Sequence, residues 1–156
     1  MDLLCPSESE IRDALHDYDE GLSAITWRLL SHTQSNAALA TLGEDGLIAF
    51  SRTEDSNLNP SDWRSRLNAL HVPAFSPFAV DQLGCGDALL AAATLALSVN
   101  KSIGHAALLG SLAASCEAQH LGNAVISAAD IRRAARRLCS TQLAVRSESL
   151  ALTQLA

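Results

Sequence analysis

Two long apolar segments follow one another in the second half of the chain, and they constrain its fold more than any other feature. The first begins after Gly86 and runs almost unbroken through Leu97, and the second resumes after the polar break NKS as IGHAALLGSLAASCEAQHLG. Both are rich in alanine, which favours helix. The sequence therefore predicts two alanine-rich helices packed closely together, with Gly122 and Asn123 ending the second.

Shorter apolar segments, bounded by turn residues, predict strands. MDLLC ends at Pro6 and is too short for a helix, and LNALHVPAF contains another apolar piece. NAALATLGEDGLIAFSR places two apolar segments on either side of GEDG, a turn whose glycines can take positive φ. Residues 53–62 are polar and contain Asn-Pro, which predicts a loop. Strands alternating with helices indicate an α/β layered fold with a largely parallel sheet and one antiparallel hairpin.

Start signals predict three further helices. Ser7, followed three residues later by Glu10, forms a capping-box pattern that opens a short helix. A second helix is predicted from about residue 19 to residue 32. After a brief extended piece, Ser127 or Asp130 is expected to cap a final basic helix.

Length and composition indicate one globular domain. The chain has 156 residues, of which 48% are apolar and 18% are charged. Because the apolar pattern fades beyond Leu138, we expect a domain over residues 1–138 and a tail of uncertain structure over residues 139–156. The cysteines Cys5, Cys85, Cys116 and Cys139 lie far apart without a CxxC pair, which predicts reduced thiols rather than a metal site.

Charge and hydropathy exclude several classes of partner. The net charge is -6 and the chain contains a single lysine, Lys101, so a nucleic-acid or anionic-membrane surface is not expected. No apolar run reaches the roughly 18 residues needed to cross a bilayer, and MDLLCPSESE has no basic leader. We therefore expect a cytoplasmic protein that acts on a small molecule or binds a protein.

A glycine-rich turn precedes the first of the two long helices. In a strand–turn–helix context, Gly84, Cys85 and Gly86 would leave backbone N–H groups free at a helix N-terminus, where an anion is stabilised. Asp87 falls in the first helical turn, where a carboxylate stabilises the helix by about 0.3–1 kcal/mol. The residues alone leave two interpretations open: a simple helix start, or a phosphate site with a carboxylate beside it.

The segment DQLGCGDALLAA resembles the second signature of the PfkB-type carbohydrate kinases, the ribokinase-like family, whose usual form is Asp-Thr-x-Gly-Ala-Gly-Asp-x-Phe. Asp81, Gly84, Gly86 and Asp87 match this pattern. The sequence has glutamine, cysteine and leucine where the family has threonine, alanine and phenylalanine. The cysteine is small and supplies the same backbone amide as alanine.

Two upstream segments extend the resemblance. DLLCPSESEIRDAL is similar to the family's strand ending in Pro-Asn-Glu-x-Glu, with Glu10 matching and Ser7 standing where asparagine is expected. ATLGEDGLIAF is similar to the family's Thr-Leu-Gly-x-x-Gly segment, and Thr41, Gly43 and Gly46 all match.

Two downstream segments also resemble the family. LGSLAASCEAQHLGN is similar to the helix that lines the adenine pocket, with Ser111 where asparagine is frequent, and residues 121–123 resemble the turn that closes a monovalent-cation site. The ending HLGNAVISAADI resembles the heptose-phosphate kinase branch of the family. In order and spacing, the match extends from about Asp2 to Arg137.

The resemblance implies a Rossmann-like layered fold with a partly parallel sheet flanked by helices, and phosphoryl transfer from ATP with Mg²⁺ and a potassium-like ion. It implies that Asp87 is the general base. The remaining roles that it implies are an anion hole at Gly84, Cys85 and Gly86, ATP contacts at Ser7, Thr41, Gly43, Gly46 and Ser111, a magnesium role for Glu10, and a monovalent-cation site at Asp81 and the Leu83 carbonyl.

Family members are about twice as long, and their first half supplies most contacts to the sugar, so the chain corresponds to the C-terminal, nucleotide-binding half. Two functions are therefore expected. One is an ATP-dependent kinase of a sugar or sugar phosphate, present as a partial catalytic domain whose open sheet edge is covered by an N-terminal half or a second copy. The alternative is an inactive nucleotide-binding or interaction module derived from such a kinase.

Overall fold

The computed structural model describes residues 2–53, 67–76 and 78–153. Its strands are β1 (Leu3–Leu4), β2 (Ala37–Thr41), β3 (Leu47–Arg52) and β4 (Leu67–Val72). Its α-helices are α1 (Glu8–Leu15), α2 (Leu22–Thr33), α3 (Cys85–Ser98), α4 (Ile103–Glu117) and α5 (Ala128–Thr153). The predicted strands and helices are thus present, whereas most of the polar loop predicted over residues 53–62 lies outside the described residues.

The first helix begins at the capping box that the sequence predicts. The Glu10 carboxylate accepts the Ser7 backbone N–H at 2.7 Å, and the Glu10 N–H donates to the Ser7 hydroxyl at 3.3 Å. The second helix starts later than predicted, at Leu22 instead of about residue 19. The reason is that the Asp17 carboxylate accepts the N–H groups of Asp19 and Glu20, which holds these residues in a turn.

The sheet has the order β1-β2-β3-β4. Strand β1 pairs with β2 in parallel, and both β2 with β3 and β3 with β4 pair antiparallel. The expectation of a largely parallel sheet is wrong for the described strands. Parallel neighbours need a long crossover connection, and among these strands only α1 and α2, between β1 and β2, provide one. The tight turn around GEDG reverses the chain instead, so the sheet is partly parallel and carries the predicted hairpin.

Alternation along the central strands separates two apolar cores. Leu39 and Ala49 pack with Leu89 of α3 and with residues of α4. Their neighbours Ala40 and Phe50 pack on the opposite side, in a cluster with residues of α1 and α2. The result is three layers, with α1 and α2 on one face of the sheet and α3 and α4 on the other.

Helices α3 and α4 pack as closely as their alanine content predicts. Ala93 and Ala107 are fully buried between them, and a side chain added at Gly110 would come within 3.0 Å of the Leu89 carbonyl oxygen. The predicted end of α4 at Gly122 and Asn123 is wrong. The helix ends earlier, at Glu117. Hydrogen bonds from residues 122 and 124 to carboxylate side chains hold the following segment in a loop.

The last helix begins where Ser127 and Asp130 exchange hydrogen bonds, the Ser127 N–H donating to the Asp130 carboxylate at 3.0 Å. Both residues named by the sequence therefore take part in this helix start. Helix α5 continues beyond Leu138, where the apolar pattern fades, to Thr153. Among the described residues, no helix has both the length and the hydropathy needed to cross a membrane.

Candidate functional site

The glycine-rich turn lies at the N-terminus of α3, as the sequence predicts, but no strand leads directly into it. Strand β4 ends at Val72, and residues 73–76 and 78–84 are irregular. Gly84 is the N-cap of α3, with φ of 83° in the left-handed region. A side chain there would be strained and would lie 2.8 Å from the Asn123 carboxamide oxygen and 3.0 Å from a Glu117 carboxylate oxygen. Glycine is therefore required at this position by backbone geometry and by space.

The helix start presents free hydrogen-bond donors. The Cys85 N–H donates to the Gln82 carbonyl at 3.3 Å. The N–H groups of Gly86 and Asp87 donate to no acceptor among the described residues, and no described atom comes within 4 Å of a side chain placed at Gly86. Two unsatisfied donors at the positive end of a helix of 14 residues form an anion-binding arrangement.

The Asp87 carboxylate stands next to these donors, in the first turn of α3. The residue is exposed, and its side chain makes no hydrogen bond or ion pair with the described residues. It therefore neither caps the helix nor belongs to a salt bridge in the described part of the chain. A carboxylate in this state is available to accept a proton from a ligand.

Asp81 joins the glycine-rich turn to the loop that follows α4. One oxygen of its carboxylate accepts the Leu83 N–H at 3.0 Å, and the other accepts the Gly122 N–H at 2.9 Å. These two backbone hydrogen bonds lower the pKa of the Asp81 carboxyl, the bond from Leu83 contributing most. The carboxylate thus holds two segments together that lie about 40 residues apart in the sequence.

A cleft of about 490 Å³ opens beside the glycine-rich turn. Its volume falls in the usual range for small-molecule sites, about 300–1,000 Å³. It gathers six of the predicted site residues from three separate segments, together with Phe75, Gln82 and Ser115, to which the sequence analysis assigned no role in the site. The six predicted residues that line it are Thr41, Gly43, Gly46, Cys85, Gly86 and Ser111.

The other predicted residues lie outside the lining of this cleft. Ser7 and Glu10 form the capping box of α1. Because Ser7 pairs with Thr41, which lines the cleft, this capping box lies at the end of the sheet next to the cleft. Asp81 lies in the connection described above, and the Leu83 side chain is 63% exposed. Within the described residues, no cluster of three or more histidine, cysteine, aspartate or glutamate side chains is suited to hold a metal ion.

Gly46 is required by the fold itself. Its φ is 89°, and a side chain there would lie 2.2 Å from the Val72 carbonyl oxygen and 2.6 Å from the Ala74 nitrogen. Gly43 also has a positive φ, of 64°, but faces open space. The tight contact at Gly46 therefore accounts for one glycine of the GEDG turn without any ligand.

Glu117, the last residue of α4, is not among the residues predicted from the sequence. Its side chain is 1% exposed, and one carboxylate oxygen accepts the Ala124 N–H at 2.6 Å. The other oxygen has no hydrogen-bond partner among the described residues. The signal that could have identified it is a single carboxylate within an apolar, alanine-rich segment, since a buried charge is costly unless it is paired.

Burial raises the pKa of the Cys85 thiol, and the negative charges of Glu117 and Asp81 raise it further. The thiol therefore stays protonated near neutral pH, and it is a poor nucleophile. The Cys85 residue lines the cleft, but its backbone N–H donates to the Gln82 carbonyl and is therefore not among the free donors expected from the sequence.

Comparison with known proteins places this geometry in a family. The model of the pfkB family of carbohydrate kinases matches residues 1–129. The bifunctional protein HldE of Pseudomonas savastanoi pv. phaseolicola is 29% identical over 137 residues, which are 86% of this chain and 26% of that protein. HldE of Azotobacter vinelandii is 30% identical over 138 residues, which are 87% of this chain and 26% of that protein.

Solved structures show the same fold. Phosphofructokinase-2 from Escherichia coli, in complex with potassium, superposes with a TM-score of 0.69 at 18% identity, over 89% of this chain and 41% of that one. Ribokinase from Thermotoga maritima superposes with a TM-score of 0.67 at 22% identity, over 87% of this chain and 42% of that one.

The chain thus spans about a quarter of the length of the curated relatives and about two fifths of the solved kinases. The matched residues include β1 to β4, the glycine-rich turn and both helices that enclose the cleft. By its sequence and its fold, the chain belongs to the pfkB family of carbohydrate kinases.

Proposed function

We propose that the chain is the nucleotide-binding part of an ATP-dependent carbohydrate kinase, which transfers the γ-phosphoryl group of ATP to a hydroxyl of a sugar or sugar phosphate. The observation that carries this proposal is the start of α3. There, two backbone N–H groups and a carboxylate that have no partner among the described residues adjoin a cleft of about 490 Å³. Phosphoryl transfer needs little beyond such positioned donors, because catalysis is mostly orientation and charge stabilisation.

The proposed reaction uses Asp87 as general base. The Asp87 carboxylate takes the proton of the acceptor hydroxyl while the hydroxyl oxygen bonds to the γ-phosphorus and the bond to the ADP oxygen breaks. The free N–H group of Gly86, within the proposed anion hole at residues 84–86, and the adjacent free N–H group of Asp87 donate to the transferred phosphoryl oxygens. The negative charge that develops there is stabilised by donors that are already in place before the reaction begins.

The remaining cleft residues are assigned to ATP. Thr41, Gly43 and Gly46 on one side and Ser111 on the other enclose the nucleotide, and Ser7 adjoins Thr41 at the ends of their strands. Ser111 is 8% exposed and lines the cleft, where its hydroxyl can form a hydrogen bond with a bound base.

Two ions are part of the proposal. Mg²⁺, when bound, would neutralise the phosphate charge, and Glu10 offers an exposed carboxylate of which one oxygen accepts no hydrogen bond from the described residues. A monovalent cation would be held by Asp81 and the Leu83 carbonyl, whose positions the two backbone hydrogen bonds of Asp81 determine. Each oxygen of that carboxylate keeps a lone pair for a cation.

The domain assignment follows from the same proposal. Residues 1–138 form the C-terminal half of a kinase domain, and residues 139–156 form a tail, of which residues 139–153 belong to α5. Because the chain spans 26% of the curated relatives, we expect the 156 residues to bind Mg-ATP weakly. We expect them to phosphorylate sugars poorly or not at all unless an N-terminal half or a second copy adds acceptor contacts. Heptose phosphates are the first acceptors to test, given the likeness of HLGNAVISAADI to that branch of the family.

The test is a calorimetric titration with Mg-ATP, beside a kinase assay with sugars and sugar phosphates. We expect binding by the chain and by Asp87→Asn with similar dissociation constants, because the carboxylate acts on the acceptor and not on the nucleotide. Wherever turnover is measurable, Asp87→Asn should lower it by about 10²–10⁴-fold.

Three outcomes would contradict parts of this proposal. Undiminished turnover by Asp87→Asn rejects Asp87 as the base. Robust sugar phosphorylation by the unmodified chain rejects its dependence on a second half. Absence of Mg-ATP binding rejects the kinase function and also the inactive nucleotide-binding module, leaving an interaction module.

A further inference from the structure

Two phenylalanines follow β4, and they stand in opposite surroundings. Phe75 packs against the core on the α3 and α4 side of the sheet, whereas Phe78 is 82% exposed. Both residues line the cleft beside the glycine-rich turn. A phenylalanine on an open surface needs no explanation, but one that borders a cleft can become buried when a ligand enters it.

The side chain of Gln119, just beyond the end of α4, holds the backbone at Phe78 in place. Its carboxamide nitrogen donates to the Ser76 hydroxyl at 2.5 Å and to the Phe78 carbonyl oxygen at 2.8 Å. The Ser76 hydroxyl donates to the same carbonyl oxygen at 3.0 Å. A carbonyl oxygen only accepts hydrogen bonds, so the carboxamide has to present its nitrogen to it. The three groups thus form a closed ring of hydrogen bonds that determines the backbone position of Phe78.

A backbone hydrogen bond attaches the same segment to the end of α4 without this ring. The Val80 N–H donates to the Ala118 carbonyl at 2.7 Å, and Ala118 is buried and lines the cleft. Gln119 itself is exposed. Its side chain is therefore not needed to keep the segment on the helix, and its hydrogen bonds act on the residues that precede Val80.

In the described part of the chain, the wall of the cleft that includes Phe78 has no ionisable side chain. The lining residues within 74–79 and within 111–118 are all phenylalanine, serine or alanine. The free N–H donors lie at the start of α3, where Gly86 also lines the cleft. A nucleotide whose phosphates bind at those donors has a flat, uncharged base left to place, and a wall of this composition suits such a group.

We propose that the Phe78 ring stacks on the base of the bound nucleotide, and that Gln119 is the positioning residue for this contact. The inference rests on the proposed function, since it assumes that ATP occupies the cleft. Stacking contacts the face of a base and none of its edges, so it does not distinguish ATP from GTP. It favours purine over pyrimidine nucleotides, because the larger purine covers more of an aromatic ring.

The first test compares a nucleotide with a ligand that lacks a base. The affinities of the full chain and of Phe78→Ala for Mg-ATP and for magnesium tripolyphosphate are measured by calorimetry. Phe78→Ala should bind Mg-ATP about 5–150-fold more weakly, whereas its affinity for tripolyphosphate should be unchanged. Because Phe78 is exposed, its melting temperature should stay close to that of the unmodified chain.

Tyr18→Ala is the matched control, because it removes an exposed aromatic side chain that does not line the cleft. It should bind both ligands like the unmodified chain. Unchanged Mg-ATP affinity of Phe78→Ala, or equal losses for Mg-ATP and tripolyphosphate, would overturn the stacking contact and leave the kinase proposal standing. If the unmodified chain binds neither ligand, the kinase proposal and this inference are both overturned.

The same variant tests the preference for purines. Phe78→Ala should weaken the binding of Mg-ATP and Mg-GTP by similar factors and that of Mg-UTP by a smaller factor. An equal or larger loss for Mg-UTP would overturn the purine preference.

Gln119→Met tests the positioning role. Methionine is similar in length to glutamine and has no N–H group, so the ring of hydrogen bonds opens while the Val80 hydrogen bond remains. Mg-ATP should bind about 2–10-fold more weakly, with tripolyphosphate affinity unchanged. Gln34→Met, at an exposed glutamine that does not line the cleft, is the matched control and should bind both ligands like the unmodified chain.

A double-mutant cycle distinguishes positioning from a general structural role. Phe78→Ala should lower Mg-ATP affinity by a smaller factor in the Gln119→Met background than in the unmodified chain, because the phenylalanine ring is no longer held in place there. Additive effects of the two substitutions, or equal losses of Mg-ATP and tripolyphosphate affinity in Gln119→Met, would overturn the positioning role. The stacking contact would stand in either case, since Phe78→Ala tests it separately.

Discussion

Gly84 and Gly86 look alike in the sequence, but they meet different constraints in the folded chain. Gly84 has φ of 83° and faces two oxygens at 2.8 and 3.0 Å, so both its backbone and its surroundings exclude a side chain. Gly86 lies inside α3, is exposed, and would meet no described atom if it carried a side chain. Any requirement for glycine at position 86 must therefore come from a ligand.

This difference predicts opposite results for two substitutions. Gly84→Ala should lower the free energy of unfolding by about 1–3 kcal/mol, because it adds strain and a close contact. Gly86→Ala should leave stability unchanged or raise it by up to about 1 kcal/mol, because alanine favours helix. Chemical denaturation measures both. Equal destabilisation by the two substitutions would contradict the geometry of the turn.

At the scale of elements, hydrogen bonds to side chains decide where helices begin and end. The Ser7 and Glu10 capping box begins α1, and its local pattern is visible in the sequence. Helix α4 ends at Glu117, and beyond it Gly122 and Ala124 donate to carboxylates, of which that of Asp81 is distant in the sequence. Starts determined by neighbouring residues are therefore predictable, whereas this end depends on tertiary contacts.

The capping box has a pH dependence with a definite sign. The Ser7 N–H and hydroxyl lower the pKa of the Glu10 carboxyl below its ordinary value of 4.5. A pKa lowered by folding stabilises the protein above the unfolded-state pKa, and this contribution disappears as the pH falls through the folded-state pKa. Glu10→Gln should therefore reduce stability at pH 7 by up to about 1 kcal/mol, with a difference that shrinks below pH 4.5.

Thermal unfolding between about pH 3 and pH 7 measures this difference, and Ser7→Ala provides the matched background. Removal of the Ser7 hydroxyl should cost about 0.5–2 kcal/mol and should lessen the effect of Glu10→Gln. A difference between the unmodified chain and Glu10→Gln that grows as the pH falls would have the wrong sign for a capping carboxylate.

At the scale of the whole molecule, the sheet separates two cores with different relations to the site. Phe50 is fully buried against the layer of α1 and α2, whereas Leu89 lies in the other core and also lines the cleft. One core thus supports the sheet, and the other supports the sheet and positions the cleft.

Replacing a core side chain by alanine on one face of the sheet or on the other should have different effects on stability and on nucleotide binding. Phe50→Ala is expected to cost about 3–5 kcal/mol and Leu89→Ala about 2–5 kcal/mol, because each leaves a cavity. Under conditions in which both variants remain folded, Phe50→Ala should bind Mg-ATP like the unmodified chain and Leu89→Ala should bind it more weakly. Calorimetry measures both quantities, and a loss of affinity in Phe50→Ala alone would contradict this division.

Much of this organisation can be predicted from the amino-acid sequence alone, because it depends on local sequence patterns. The helix starts at Ser7 and Ser127, the hairpin around GEDG and the packing of the two alanine-rich helices follow from capping residues, turn glycines and side-chain size. The family motifs named six residues that the folded chain brings together in the lining of the cleft, whereas the other predicted residues lie outside that lining.

Tertiary structure decided the features that join distant segments. The mostly antiparallel pairing of the sheet, the end of α4 at Glu117 and the approach of Glu117 and Asn123 to Gly84 all depend on how the layers pack. Hydrophobic periodicity shows which side of a strand or helix is buried, but it does not show which segment lies opposite. The environment of a buried charge is set by those partners, and so the significance of Glu117 emerges only in the folded chain.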